Sequence, residues 1–325
     1  MRTSINFPGD LRGVFAVPPL CRTDCASRSI DFEQNKRVVA HIRAAGITRL
    51  IYGGNAFLYH ITLDEYALLL DWLARLPRDL WVIPSLGPSF GRAYEQARLI
   101  RAFHFPCAMV LPCNDPSDAV GLEEGYREIA NAAATKLLLY IKDEKSFGAD
   151  KQQGLDAVGR LVADGVCIGI KYAIVRENPA ADDYLAGLLQ RVDRSFVISG
   201  IGERPAVSHL RDWKLSGFTT GSGCVAPHLS QALFASCERG DFDHADELRS
   251  QFIALEDLRD DWGPARVLHA AVGEAQIAQT GRIPPFVSGV SDAQLQTLSG
   301  PVRELLAADV SAAEQAASLI VPRRR

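Results

Sequence analysis

The stretch VCIGIKYAIV at 166–175 sets one lysine, Lys171, inside an apolar, β-branched run. Such a run tends to leave water, and burial disfavours the charged form of an amine, lowering a lysine pKa by up to about 3–5 units. A neutral amine is a nucleophile and can form a Schiff base with a ketone. The same residues also suit a lysine paired with a carboxylate, or one whose stem is buried while its head reaches water. One apolar run earlier, LLLYIKDEKSF at 137–147 puts Tyr140 at the matching place. A tyrosine beside an imine-forming lysine can carry protons to and from the adduct. Alone, Tyr140 reads as a core aromatic. Its position next to a buried lysine on a neighbouring run is what points to chemistry.

Those two side chains need elements that hold them. Eight short apolar runs punctuate the chain: GVFAVP (13–18), RLIYGG (49–54), LWVIPSLG (80–87), CAMVLP (107–112), KLLLYIK (136–142), VCIGIKYA (166–173), SFVISG (195–200) and GFTTGSG (217–223). Their near-continuous apolarity fits strands buried on both faces of a parallel sheet. Their spacing leaves room for a helix between each pair. In TLDEYALLLDWLARLP, Thr62 and Glu65 are spaced as a capping box, and Pro77 is a stop. In DFEQNKRVVAHIRAAG, Val38, Val39, Ile42 and Ala45 share one face before Gly46 ends the helix. Eight such units predict an α/β fold, a (β/α)8 TIM barrel, whose reactive groups lie at the C-terminal ends of the strands. The rival, an open doubly wound sheet, lacks a GxGxxG after any strand. Past residue 238 the strand signals fade, and Leu248, Phe252, Leu255 and Leu258 fall at helical spacing. The expected organisation is a barrel at 1–238 carrying the active site, and an appendage of about three helices at 239–325, packed on the barrel or on another subunit.

Composition narrows the possibilities. A formal charge of -4 over 325 residues offers no nucleic-acid surface. No apolar stretch approaches the ~20 residues of a membrane span, and the N-terminus carries no apolar signal segment. The seven cysteines are scattered without a CxxC pair or zinc spacing, so most read as reduced core thiols of a cytoplasmic protein. The terminal Arg323-Arg324-Arg325 reads as a solvated tail.

On the strength of GIKYA around Lys171, Tyr140 on the preceding strand, GGNAFLYHITLDEY, LPCNDPSDAVGLEEGY and SGFTTGSGCVAP, the sequence resembles the dihydrodipicolinate synthase and N-acetylneuraminate lyase family of class I pyruvate-dependent aldolases. The likeness runs from about Leu11 to Ala308. It implies a TIM barrel with C-terminal helices, assembled as a homotetramer (or dimer). It implies catalysis by Lys171 and Tyr140 on a 2-keto acid, with no metal and no organic cofactor, and with substrate contacts at Gly54, Asn55, Lys145, Gly200 and Asn114. Gly200 would offer a backbone carbonyl.

The departures fall at substrate positions. The family's Thr-Thr pair aligns with Gly54 and Asn55, and its Glu with Phe57. Gly53 and Gly54 let N–H groups converge on an anion, and Asn55 adds a donor, so carboxylate binding is expected to survive while the hydroxyl relay does not. The Tyr-Tyr pair aligns with Cys113 and Asn114, which argues against the synthase reaction proper. The arginine for the second substrate aligns with Lys145, a lysine without the bidentate fork. Asn-Val-Pro is replaced by Ile141-Lys142-Asp143. Tyr59, His60, Thr219, Thr220 and Ser222 are further polar residues at strand ends and favour a 2-keto-3-deoxy sugar acid. The reading is therefore a Schiff-base lyase, aldolase or dehydratase. Its rivals are a keto-acid binder that has lost catalysis, and a metal-dependent aldolase barrel, for which no His/Asp/Glu constellation falls at successive strand ends.

Overall fold

Each of the eight apolar runs becomes a parallel strand, and the strands close on themselves in chain order. The structure is a computed structural model that describes residues 1–320, with side chains to Ser318; the arginine tail lies outside the described residues. The strands are β1 (Gly13–Ala16), β2 (Arg49–Tyr52), β3 (Trp81–Leu86), β4 (Cys107–Val110), β5 (Lys136–Ile141), β6 (Cys167–Tyr172), β7 (Val197–Ser199) and β8 (Gly217–Thr220). Between them run α1 (Phe32–Ala44), α2 (Leu63–Ala74), α3 (Phe90–Ile100), α4 (Ala119–Ala133), α5 (Lys151–Ala163), α6 (Asp183–Leu189) and α7 (Ala206–Arg211), and α8 (Pro227–Glu238) follows β8. The α/β barrel read from the sequence is thus the architecture observed. Nearly every strand residue is buried, because helices cover the outer face and side chains fill the inside.

Local chemistry sets the helix starts. Asp31, Asp118, Asp150 and Asp182 each accept backbone N–H groups at the first turns of α1, α4, α5 and α6. Thr62 and Glu65 form the expected reciprocal capping box on α2. All seven cysteines are free thiols, with Cys21, Cys107, Cys167, Cys224 and Cys237 buried.

The region after Glu238 departs from expectation in number. Among the described residues it holds four helices: α9 (Phe242–Ser250), α10 (Ile253–Trp262), α11 (Pro264–Glu274) and α12 (Asp292–Ile320). The segment read as one amphipathic helix breaks at Gln251 and Phe252, and Phe252 and Leu255 are fully buried. The break turns α10 over the barrel mouth. Next, α11 packs against a 3-10 turn, Gly54–Ala56, that follows β2, while α12 packs along α8.

One irregularity governs the site. Leu137 pairs with Cys167, but Leu138 pairs with Gly169, so Ile168 is an extra residue in β6. A bulge of this kind shifts the register by one and exchanges the faces of everything beyond it. Without it Lys171 would stand opposite Ile141; with it, Lys171 stands opposite Tyr140.

The capping box gives a direct test of the local analysis. Thr62→Ala should lower stability by about 1 kcal/mol, and Thr62→Ser by much less. Urea unfolding midpoints of the two variants check this, and equal midpoints would contradict it.

Candidate active site

Lys171 and Tyr140 occupy equal register on adjacent parallel strands and therefore face the same way, into the barrel. Their neighbour Tyr172 faces outward, where its hydroxyl donates to Asp182 at 2.6 Å and Arg176 closes on the same carboxylate. Lys171 is only 6 % exposed. Its Nζ lies over the Tyr140 ring, 4.2 Å from the centroid. No carboxylate among the described residues lies within ion-pair distance of it, and no hydrogen bond joins it to the Tyr140 hydroxyl.

Burial pushes the Lys171 amine down to about 7, helped by the positive charges of Arg259 and Lys142. The ring face works the other way, but a cation–π contact contributes about 0.5–2 kcal/mol, against several kcal/mol for dehydrating an ion. Desolvation therefore wins, and the amine is substantially neutral near pH 7. Burial, with a smaller contribution from nearby Tyr59, pushes the Tyr140 phenol well above its usual range. It keeps its proton and can lend it.

These groups line a cavity of about 210 Å³ at the C-terminal ends of the strands. Val17 follows β1, Gly54 and Asn55 follow β2, and Gly200, Ile201 and Gly202 follow β7; Thr219 and Gly221 come from β8 and its end. The volume is below the ~300–1,000 Å³ usual for drug-sized ligands and suits a small metabolite. Gly200 is required by close approach: a Cβ there would sit 2.7 Å from the Tyr172 carbonyl oxygen and 2.9 Å from Lys171 Cγ. The Asn55 amide donates to Val17 O at 2.8 Å, which stitches β2 to β1 at the rim. The 3-10 turn Gly54–Ala56 presents its first N–H groups, which have no partner within the turn.

The structure therefore brings Lys171, Tyr140, Gly54, Asn55 and Gly200 together. It leaves Lys145 and Asn114 exposed and outside the lining, because the loops after β5 and β4 carry them away from the mouth. Lys142, just past β5, lines the cavity instead. Of the other polar residues read at strand ends, Thr219 lines the cavity. Thr220 is occupied in accepting the Gly223 N–H at 2.6 Å, and Ser222 in accepting from Arg259 at 3.0 Å. His60 stacks on Phe286 away from the amine.

Sequence reasoning missed the roof of the site. Glu256, Arg259 and Asp260 reach the cavity from α10. Their spacing of three and four along the helix puts them on one face, which is a legible signal, but nothing local says what that face covers. Among the described residues no group of His, Cys, Asp and Glu is arranged to hold a metal. No helix among them is long and apolar enough to cross a membrane.

Comparison with known proteins agrees on the fold. No family model matches the sequence, and no curated protein matches it. Among solved structures, dihydrodipicolinate synthase from Oceanobacillus iheyensis superimposes with a TM-score of 0.78 at 21 % identity, covering 91 % of this chain and 98 % of that one. Dihydrodipicolinate synthase from Bacillus clausii gives 0.78 at 19 % identity, covering 92 % and 99 %. A monomeric dihydrodipicolinate synthase variant gives 0.77 at 18 %, covering 93 % and 99 %. The chain has the fold of these synthases, at identities that leave the reaction to be argued from the site.

The depressed lysine has a consequence for stability. Between about 7 and the ordinary lysine value of about 10.4 the unfolded chain binds more protons than the folded one, so stability rises with pH across that window. Below it the full penalty applies. Lys171→Met should therefore stabilise the chain by on the order of a few kcal/mol at pH 7, and by progressively less towards pH 10. Urea unfolding at the two pH values measures this; a gain independent of pH would contradict the depressed pKa.

Proposed function

We propose that this chain is a divergent member of the dihydrodipicolinate synthase and N-acetylneuraminate lyase family, and that it is a class I lyase acting on a 2-keto acid. The observation that carries the proposal is the buried amine of Lys171, without an acid partner and set over the Tyr140 ring in a small cavity. Nζ attacks the ketone carbon, water leaves, and an iminium forms. The cationic nitrogen then accepts the electron pair released when a bond at C3 breaks, giving an enamine. If that bond joins C3 to C4 and the C4 hydroxyl gives up its proton, an aldehyde leaves; the enamine then takes a proton at C3, and water hydrolyses the iminium to release pyruvate and free Lys171. If C3 loses a proton and C4 then loses hydroxide as water, hydrolysis of the conjugated iminium releases a dehydrated keto acid. Tyr140 holds and returns the protons in either branch, so the protein's own lysine serves as electron sink.

The C1 carboxylate is assigned to the N–H groups of Gly54 and Asn55, and the Gly200 carbonyl and Thr219 hydroxyl to polar substituents further along a 2-keto-3-deoxy acid. The absence of Asn114 and Lys145 from the lining weighs against the synthase reaction of the structural neighbours. The assembly is proposed as a homotetramer or dimer. Free thiols throughout suit a cytoplasmic protein.

Borohydride added with pyruvate should attach the reduced adduct to Lys171, read by peptide mass spectrometry. The trapping rate should rise with pH to about 7 and then level off, as the neutral amine fills. Tyr140→Phe should still trap, while turnover falls by about 10²–10⁴-fold. If no 2-keto acid labels the lysine, and Lys171→Ala is stabilised by pyruvate as much as wild type, the chain is a keto-acid binder and not a lyase.

A further inference from the structure

Arg259 is 9 % exposed and holds its guanidinium over the mouth of the barrel, in the cavity lining. Nη1 donates to Ser222 Oγ at 3.0 Å, and Nε makes only a long contact of 3.5 Å with Pro264 O. Among the described residues Nη2 has no hydrogen-bond partner, and no carboxylate lies within ion-pair distance of the group. Buried charges are ordinarily paired, because an ion stripped of water without a partner costs several kcal/mol.

Two carboxyl groups stand near enough to be that partner and fail to be. Glu203 and Glu256 are both fully enclosed. The Glu203 N–H donates to Glu256 Oε1 at 2.9 Å, and the Ser230 hydroxyl donates to Glu203 Oε1 at 2.6 Å. Burial pushes both carboxyls up, and their mutual contact forbids both being ionised together. Arg259 opposes that rise in both, yet neither carboxyl reaches it within ion-pair distance. The other charges at the rim do not fill the gap. Asp260 leans toward Arg204, which is already paired with Asp257 at 2.5 Å, and Lys142 is exposed to water.

The backbone is shaped around this guanidinium. Gly221, at the end of β8, has no Cβ where one would overlap Nη2 and lie 2.8 Å from Cζ. Gly202, at φ +88°, leaves the space taken by Glu256 Oε1. Arg259 therefore stands over the β7–β8 sector of the rim, while the N–H groups assigned to the C1 carboxylate follow β2, a different sector.

We propose that Arg259 is the specificity-determining residue of this cavity, and that it selects 2-keto acids bearing a second carboxylate, which supplies its missing ion-pair partner. The inference rests on the cavity being the keto-acid site. One unpaired planar fork matches a carboxylate, which two parallel N–H bonds can hold.

The test compares two five-carbon 2-keto acids, 2-ketoglutarate and 2-ketovalerate, which differ in the second carboxylate, with pyruvate as reference. Binding is measured by calorimetry on wild type, Arg259→Met, Arg259→Lys and Lys171→Ala. Wild type should bind 2-ketoglutarate about tenfold or more tightly than 2-ketovalerate, as a charge-assisted hydrogen bond allows. Arg259→Met should bring the ratio close to one, and Arg259→Lys should keep part of it. A ratio near one in wild type, or a ratio untouched by both Arg259 substitutions, overturns the proposal; if Arg259→Met does not fold, Arg259→Lys decides. The ratio should persist in Lys171→Ala, which forms no imine. Failure of borohydride trapping with the ratio intact would therefore sink the lyase reading alone, and trapping without the ratio would sink this one.

Discussion

An ammonium ion taken out of water must find an acid or give up its proton, and Lys171 has been given no acid. Everything distinctive about the mouth of this barrel follows from that constraint. The strand that carries the lysine is buried on both faces, so the lysine is almost out of solvent. The face of a phenol lies 4.2 Å away, and it favours the cation too weakly to replace its hydration. The charges that act on it, Arg259 and Lys142, are positive and favour the neutral form further. The lowered pKa of this amine thus comes by omission, through what the surrounding strands withhold.

The bulge at Ile168 is the second determinant, and it acts through geometry. A parallel strand assigns faces by parity, so one additional residue decides whether Lys171 looks into the cavity or into the helical shell. Tyr172 shows the alternative: one residue on, it is locked outward against Asp182. The pairing of amine and phenol is therefore a property of strand register as much as of residue type. Conserving both residues while removing the bulge would separate them.

Much of this was legible in the sequence, for physical reasons. Strands buried on both faces must be apolar throughout, so all eight runs stood out, and a lysine inside one was conspicuous. Thr62 and Glu65 announced a helix start because a cap acts over four residues. The register shift was not legible: Gly169 beside Ile168 hints at a bulge, but a glycine in a strand has other causes. Nor was the roof. Glu256 and Arg259 meet the strand ends only after the chain turns back at Gln251 and Phe252, and long-range contacts of that kind leave no local pattern. Lys145 and Asn114 rest on alignment with the family alone, and they are exposed and outside the cavity lining. The helices after Glu238 therefore complete the site, and the boundary drawn there divides the chain by composition more than by function.

The most direct measurement is the titration of the Lys171 amine itself, followed by nuclear magnetic resonance on protein with isotope-labelled lysine side chains and assigned with Lys171→Met. The account predicts one lysine that loses its proton near pH 7, well apart from the remainder. If every lysine, Lys171 included, titrates near the ordinary value of about 10.4, the amine is a hydrated cation and the account is wrong.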